Sequence, residues 1–453
     1  VSGVLIGLLA YVLLQLAIGL VVSRRLDSES DYLIAGRQLG PWMALLSIFA
    51  TWFGAETCLG ASGAVYGAGL HGASAEPFGY AACLLLMGVF FAAPLWRRKL
   101  STLADFFRDR FSPGVERLVV LMMVPTSVLW AAAQVRGFGQ VVAASSELNG
   151  DVAIGVGAVV AILYTTAGGL LADVVTDMVQ GVVLIAGLIV LAYFAIPADM
   201  AWNLSILEHP TWPAHGTTSW PSRIEAWTIP IVGSVWAQEL GARVLGCRSE
   251  RVAHHASIGA GGLYLLVGCI PLALGLLGPT LLPGLTEHEQ FLPRLAQLYL
   301  PTWAYIIFAG ALISAILSTV DSALLSAASL TSHNLLARLR PDASDRTRLL
   351  LARLSVIVFG IVAWWLAVKA GGVYELVESA SSFGSAGIFV AGTFGLFTSF
   401  GGPRSASVAL IVGAGVWLVG SHATAVETPY LLALACSLGG YVLVGLRETQ
   451  RRV

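Results

Sequence analysis

The sequence predicts an all-α polytopic membrane protein of about 13 transmembrane helices, with its N-terminus outside and its C-terminus inside. Three observations predict it. The 453 residues are 57% hydrophobic and 11% charged, with a mean hydropathy of +0.81. A soluble domain is nearer a quarter charged and needs the polar surface this chain lacks. Apolar runs of about 20 residues, the length a bilayer core demands, recur from end to end. Finally, the basic residues collect in alternate loops, as the positive-inside rule requires.

An opening helix is expected over about 3–23, with no basic leader or small-residue cleavage site that would make it a signal peptide. Five spans follow at about 41–69, 74–96, 117–147, 151–167 and 170–195. A second five are expected at about 224–242, 252–279, 302–336, 349–370 and 374–400, and two more at about 405–420 and 428–446. The domain organisation is thus one transporter-like unit: an extra helix (3–23), a first repeat (41–195), a second repeat (224–400) and two C-terminal helices (405–446). No appended soluble domain is expected, and the longest outer loop, about 196–223, is rich in Trp and Pro.

With the N-terminus outside, all of the 25 basic residues fall on the inner side except Arg136, Arg223, Arg294 and Lys369. Arg136 alone falls inside a span. Arg243 counts here as an inner-loop residue. The two sets of five then run in opposite directions, an inverted repeat of the transporter kind, in which sites lie near the midplane on broken helices. Both opening helices carry the means to break. The first has Gly54 and Gly60 beside Glu56, and the sixth has Pro230, Gly233 and Gly241 beside Gln238 and Glu239.

Several function classes are disfavoured. A net charge of −1 offers no electrostatic footprint for nucleic acid. The five cysteines, Cys58, Cys83, Cys247, Cys269 and Cys436, are scattered without metal-ligand spacing and read as small apolar packing residues. No HExxH, GxSxG or Cys–His pair supports an intramembrane enzyme.

The polar residues inside the spans carry the functional signal. The stretch "ALISAILSTVDSALLSAAS", residues 311–329, sets Ala315, Ser318 and Thr319 on one helix face. Two hydroxyls and a freed carbonyl there offer three oxygens to a hard cation such as Na⁺. Helix-to-helix adhesion and bonding back to the i−4 carbonyl are the ordinary alternatives. Asp321 in the same stretch, Asp177 and Glu56 each place a carboxylate at membrane depth, which costs roughly 3 kcal/mol on insertion scales and calls for a cation, a proton or water. Asp173 lies nearer the inner end of its helix and reads as solvated. Trp52, one turn before Glu56, and Trp130, six residues before Arg136, are packing residues or parts of a ligand cage. Arg136 pairs with Glu56, with a solute carboxylate, or in a purely structural ion pair.

At these residues the sequence resembles the sodium/solute symporter family over nearly its whole length. "DYLIAGRQLGPW" resembles the loop into that family's first core helix, and "LYTTAGGLLADVVTDMVQG" its fourth-to-fifth helix signature. "ALISAILSTVDSALLSAAS" resembles its ion-binding eighth core helix. The resemblance implies a LeuT-type fold of ten core helices in two inverted repeats, and Na⁺-coupled uptake by alternating access. It implies a Na⁺ site made of the carbonyls of Ala50, Phe53 and Ala315 with the hydroxyls of Ser318 and Thr319. A possible second Na⁺ site would use Asp177, Asp321 and Ser322, with Ser318 shared.

Within the family, "ATW" at 50–52, "PFGY" at 77–80 and "WAAA" at 130–133 are similar to the sodium-dependent choline transporters, in which aromatic faces hold a quaternary ammonium. The solute-binding candidates are therefore Trp52, Glu56, Tyr80, Trp130, Arg136, Trp236 and Gln238. Trp236 stands one place before the position expected of a cage residue, which Ala237 takes. Glu56 and Arg136 are charges foreign to that branch: an acid suits a cation, and an acid with an arginine suits a zwitterion. The expected function is Na⁺-coupled symport of a small organic cation or zwitterion across the cell membrane. The alternatives are a transporter-like sensor signalling through a separate partner, or a symporter of a sugar or carboxylate. The expected partners are the solute, Na⁺ and the lipid bilayer.

Overall fold

The computed structural model describes residues 35–450 apart from 74, 147, 168, 169, 198–218, 340–343 and 425, together with positions 6, 7, 9, 10, 13 and 17. The expected opening helix at 3–23 and the outer loop at 196–223 therefore lie mostly outside the described residues. Among the described residues every regular element is helical, with one isolated bridge between Leu39 and Cys247.

Helix α1 (Pro41–Trp52) begins on a proline at its first position, where no amide hydrogen is missed. It stops at Phe53, and α2 (Glu56–His71) resumes at an angle of 45° after a short break. Next come α3 (Phe78–Arg97), a short α4 (Leu103–Arg110) closed by a Thr102/Asp105 capping box, and α5 (Pro113–Ser145) with Ser112 as its N-cap. Helices α6 (Gly150–Ala167) and α7 (Leu170–Ala195) complete the first half.

The second half opens on another interrupted helix, α8 (Trp220–Gly233) followed by α9 (Gln238–Gly246). Gly233 lets α8 approach the chain at Ser381, since a Cβ there would stand 2.0 Å from the Ser381 carbonyl oxygen. Helix α10 (Glu250–Leu281), the amphipathic α11 (Phe291–Tyr299), α12 (Thr302–Leu336) and α13 (Asp345–Lys369) follow. Helices α14 (Val373–Ser382) and α15 (Ser385–Phe397) meet at 41° around Gly384, whose φ of +67° favours a residue without a Cβ. The described chain closes with α16 (Pro403–His422) and α17 (Pro429–Gln450).

Eight of the described helices are long and apolar enough to cross a membrane, or ten if each bent pair counts as one span. The about 13 expected from sequence are not reached by that measure: the opening helix lies mostly outside the described residues, α6 is short, and the span expected at 224–242 is two half-helices. Helix α12 is the centre of the bundle. In its most apolar stretch 83% of the residues are buried, against 33% for α7 and 28% for α13. It packs on α5 and α7, while α7 and α13 turn Val182, Ile189, Val358, Ile361 and Trp365 outward as a lipid-facing surface would. A polar-rich helix at the centre and apolar helices outside is the inverse of a soluble core, and it is what a bilayer solvent selects.

Candidate functional site

The break between α1 and α2 frees backbone groups in the middle of the bundle. Glu56 and Gln134 satisfy the amide hydrogens: Glu56 Oε1 accepts from Gly54 N at 2.7 Å, and Gln134 Oε1 accepts from Ala55 N at 2.8 Å. The two side chains lock together, Gln134 Nε2 donating to Glu56 Oε2 at 2.6 Å. Gly54 is required here, since a Cβ would lie 2.6 Å from Gln134 Oε1 and 3.1 Å from Thr319 Oγ1. Across the break, Thr319 Oγ1 reaches Ala315 O at 3.1 Å and Ala50 O at 3.4 Å. Ala50, Ala315 and Thr319 are thus brought together, with Phe53 at the end of α1 and the Glu56 carboxylate beside them.

Ser318 lies on the same face but takes another direction. Its Oγ donates to Asp177 and, at 3.2 Å, to Asp173. These belong to a buried cluster centred on Arg243. The guanidinium donates to Asp173 Oδ2 at 2.7 Å, Asp177 Oδ2 at 3.2 Å, Ser322 Oγ at 2.6 Å and Ser47 Oγ at 2.9 Å. Ser47 in turn donates to Asp177 at 2.6 Å, and Ser322 to Asp173 at 2.7 Å. Asp321 is buried beside this cluster, within electrostatic reach of Asp173, Asp177 and Arg243.

Two expectations are corrected here. Arg243 is not an inner-loop residue but is 1% exposed, and Asp173 is not solvated but fully buried. The reason is mutual: two carboxylates packed together cannot stay buried without a cation, and the cation cannot stay buried without them. Sequence reading missed Arg243. The available signal was the surplus of intramembrane acids, which demanded a basic partner.

The aromatic candidates divide. Trp52, Tyr80 and Trp130 come together, with ring centroids 5.0 Å apart for the two tryptophans and 6.2 Å and 5.8 Å from each to Tyr80. The Tyr80 hydroxyl meets Ser381 Oγ at 2.9 Å, and Ser234 Oγ donates to the same serine at 3.1 Å. This ties α3, the α8–α9 break and α14 to one point. Trp236 lies instead among Phe91, Phe106 and Phe107, at centroid distances of 5.4–5.8 Å. Gln238 faces the start of α4, its Oε1 accepting from Leu103 N at 2.8 Å.

Arg136 does not pair with Glu56. Its guanidinium bonds Glu289 at 3.0 Å and the carbonyls of Ala370 and Gly371 at 3.0 Å and 3.1 Å. Glu289 also accepts the Val373 amide hydrogen at the start of α14. Arg136 thus ties α5 to the α13–α14 turn and the segment before α11, away from the aromatic group.

The sequence profile of the sodium:solute symporter family matches residues 32–413. The chain belongs to the sodium:solute symporter family. Among its relatives, a high-affinity choline transporter of Drosophila melanogaster is 28% identical over 402 residues, spanning 84% of this chain and 64% of that protein. This family member therefore covers slightly under two thirds of that relative's length. A sodium/proline symporter of Haemophilus influenzae is 28% identical over 418 residues, spanning 84% of this chain and 81% of its own. In fold, the chain matches a Na⁺-coupled sialic acid symporter solved in a substrate-bound outward-open state. The TM-score is 0.81 at 18% identity, over 98% of this chain and 96% of that one. The fold is therefore the LeuT-type fold of such symporters, and the chain is a multi-pass membrane protein.

Proposed function

We propose that this chain is a secondary active transporter of the cell membrane, coupling the downhill entry of Na⁺ to uptake of a small organic cation or zwitterion by alternating access. The observation that carries the reading is the meeting of Ala50 O, Ala315 O and Thr319 Oγ1 at a break in α1, beside the Glu56 carboxylate. A small hard cation sheds water on entering a bilayer and needs oxygens in its place. These oxygens come from two helices, α1 and α12. An ion held between them favours the arrangement in which both reach it, and that differential affinity is what couples the ion to the solute. Family membership, and the choline transporter and sodium/proline symporter among the relatives, support the same reading.

The ion site we assign is Ala50, Phe53, Ala315 and Thr319, with Ser318 turned aside to the carboxylates. At Asp177 and Ser322 the Arg243 guanidinium already supplies the positive charge a second Na⁺ would bring. We therefore assign one Na⁺ to the cycle and give the Arg243 cluster the task of joining α1, α7, α9 and α12. Trp52, Tyr80 and Trp130 form the solute's aromatic wall.

The deciding experiment is uptake into proteoliposomes with and without an inward Na⁺ gradient. Accumulation that needs the gradient and rises hyperbolically with Na⁺ is expected. Solute binding without accumulation would replace the transporter with a sensor, and a sigmoidal Na⁺ dependence would restore the second ion.

A further inference from the structure

One acid near the aromatic group has no structural work that occupies it fully. Glu76, in the loop before α3, is 3% exposed. Its Oε2 accepts from the Tyr264 hydroxyl at 3.3 Å, and that hydroxyl meets Thr57 Oγ1 at 2.5 Å. Its Oε1 is buried with no hydrogen-bond partner among the described residues. Glu56, the other acid nearby, differs: both of its oxygens are engaged by Gly54 N and Gln134 Nε2. Glu76 adjoins the aromatic group, being four residues before Tyr80. The Tyr264 ring that holds it stands 6.4 Å from Tyr80 and 5.4 Å from Phe53. Tyr80, Tyr264, Tyr374 and Glu56 all lie within electrostatic reach of its carboxylate.

Arg136, the basic residue expected to balance such acids, is committed elsewhere, held by Glu289 and backbone carbonyls. The aromatic group therefore has two acids near it, Glu56 and Glu76, with Arg136 bonded to neither. Aromatic faces attract any organic cation, quaternary or protonated. A buried carboxylate oxygen without a partner asks for more, a hydrogen-bond donor, and leaving it unmet is costly. At its nitrogen a quaternary ammonium presents only C–H groups. A protonated amine presents N–H.

We propose that Glu76 is the solute-selecting residue of this site, and that the transported solute is a cation bearing at least one N–H, a protonated amine and not a quaternary ammonium. The inference rests on the Na⁺-coupled reading above and narrows its solute. Trp52, Tyr80 and Trp130 select positive charge, and Glu76 Oε1 selects the N–H. Tyr264 positions Glu76 by holding its other oxygen, and Thr57 positions Tyr264. A site that hydrogen-bonds a polar hydrogen rejects the analogue lacking it far more strongly than an apolar pocket rejects an extra methyl.

The test uses a series on one skeleton: choline, dimethylethanolamine, monomethylethanolamine and ethanolamine, which gain N–H groups as methyls are lost. Binding to the purified full chain is measured in Na⁺ and in K⁺. At least one N–H member is expected to bind about tenfold or more tightly than choline. Glu76→Gln is expected to bring the series to near parity. Tyr264→Phe, which keeps the acid and frees its second oxygen, is expected to weaken the N–H members more than choline. Choline binding as tightly as every amine to the wild type would overturn the proposal, whatever the variants do. So would Na⁺-dependent binding of neutral solutes alone, and either result would leave Na⁺ coupling intact. An N–H preference that is the same in Na⁺ and K⁺, without gradient-driven uptake, would instead sink the coupling and keep the assignment of Glu76.

Discussion

Single residues here do opposite things with the same chemistry. Thr319 turns its hydroxyl toward backbone carbonyls at the helix break, and Ser318, one position earlier, turns its own to two carboxylates. Replacing them should therefore give different phenotypes. Thr319→Ala is expected to raise the Na⁺ concentration for half-maximal uptake several-fold, with solute affinity at saturating Na⁺ little changed. Sodium titrations of uptake check it, and an unaltered midpoint would remove Thr319 from the ion site. Arg243→Met leaves Asp173 and Asp177 buried without their cation, and breaking a buried pair costs about 3–5 kcal/mol. Lower stability is expected in thermal or denaturant unfolding in detergent. Adding Asp173→Asn and Asp177→Asn to that variant should recover much of the loss, because no stranded charge remains. If the triple variant is as unstable as the single one, charge balance is not what the cluster provides.

At the scale of elements, the informative features are the places where helices stop. The α1–α2 break is braced by Glu56 and Gln134, which spend their polar groups on the amides of Gly54 and Ala55. The start of α4 is held in a similar way outside the apolar spans. Asp105 closes the Thr102 capping box and meets Asn334 Nδ2 at 2.9 Å, near Arg338 and His333. Burial pushes the Asp105 carboxyl up, but His333 and the amides of Thr102 and Ser101 outweigh it, so it lies below the usual carboxylate value. Its contribution to stability is therefore present above the unfolded value, about 3.9, and is lost as the pH falls through the lower folded value. Asp105→Asn is expected to destabilise the chain at neutral pH, with the gap to wild type closing at acid pH. Melting curves across pH check it, and a gap that stays constant into acid would assign the effect to shape alone. These breaks were only partly legible in the sequence. Gly54 and Gly233 marked the places where helices stop, but the partners that meet there lie far along the chain: Gln134 takes the Ala55 amide at the first break, and Ser381 takes the Ser234 hydroxyl at the second.

At the scale of the whole molecule, the helical class and the family were written in the sequence, and the membrane orientation is the part that experiment can now test. The charge asymmetry expects Arg346 on the inner side and Arg223 on the outer side, and both are exposed. Cys58, Cys83 and Cys247 are buried, so only Cys269 and Cys436 need replacing to make a clean background. In that background Arg223→Cys is expected to react with a membrane-impermeant maleimide added to intact cells, and Arg346→Cys only after the membrane is opened. The reverse pattern would invert the topology.

The sequence by itself determined the solvent the protein lives in, its all-helical class and the presence of costly acids at membrane depth. Those follow from composition and local periodicity, because a bilayer imposes its demand on every residue along a span. Only the tertiary structure decided which acid meets which partner: Arg243 with Asp173 and Asp177, Arg136 with Glu289, Glu56 with the broken backbone, and Glu76 with one oxygen left over. Side-chain pairing between helices depends on how they are rotated and how far apart they stand, and no local pattern in the chain encodes either.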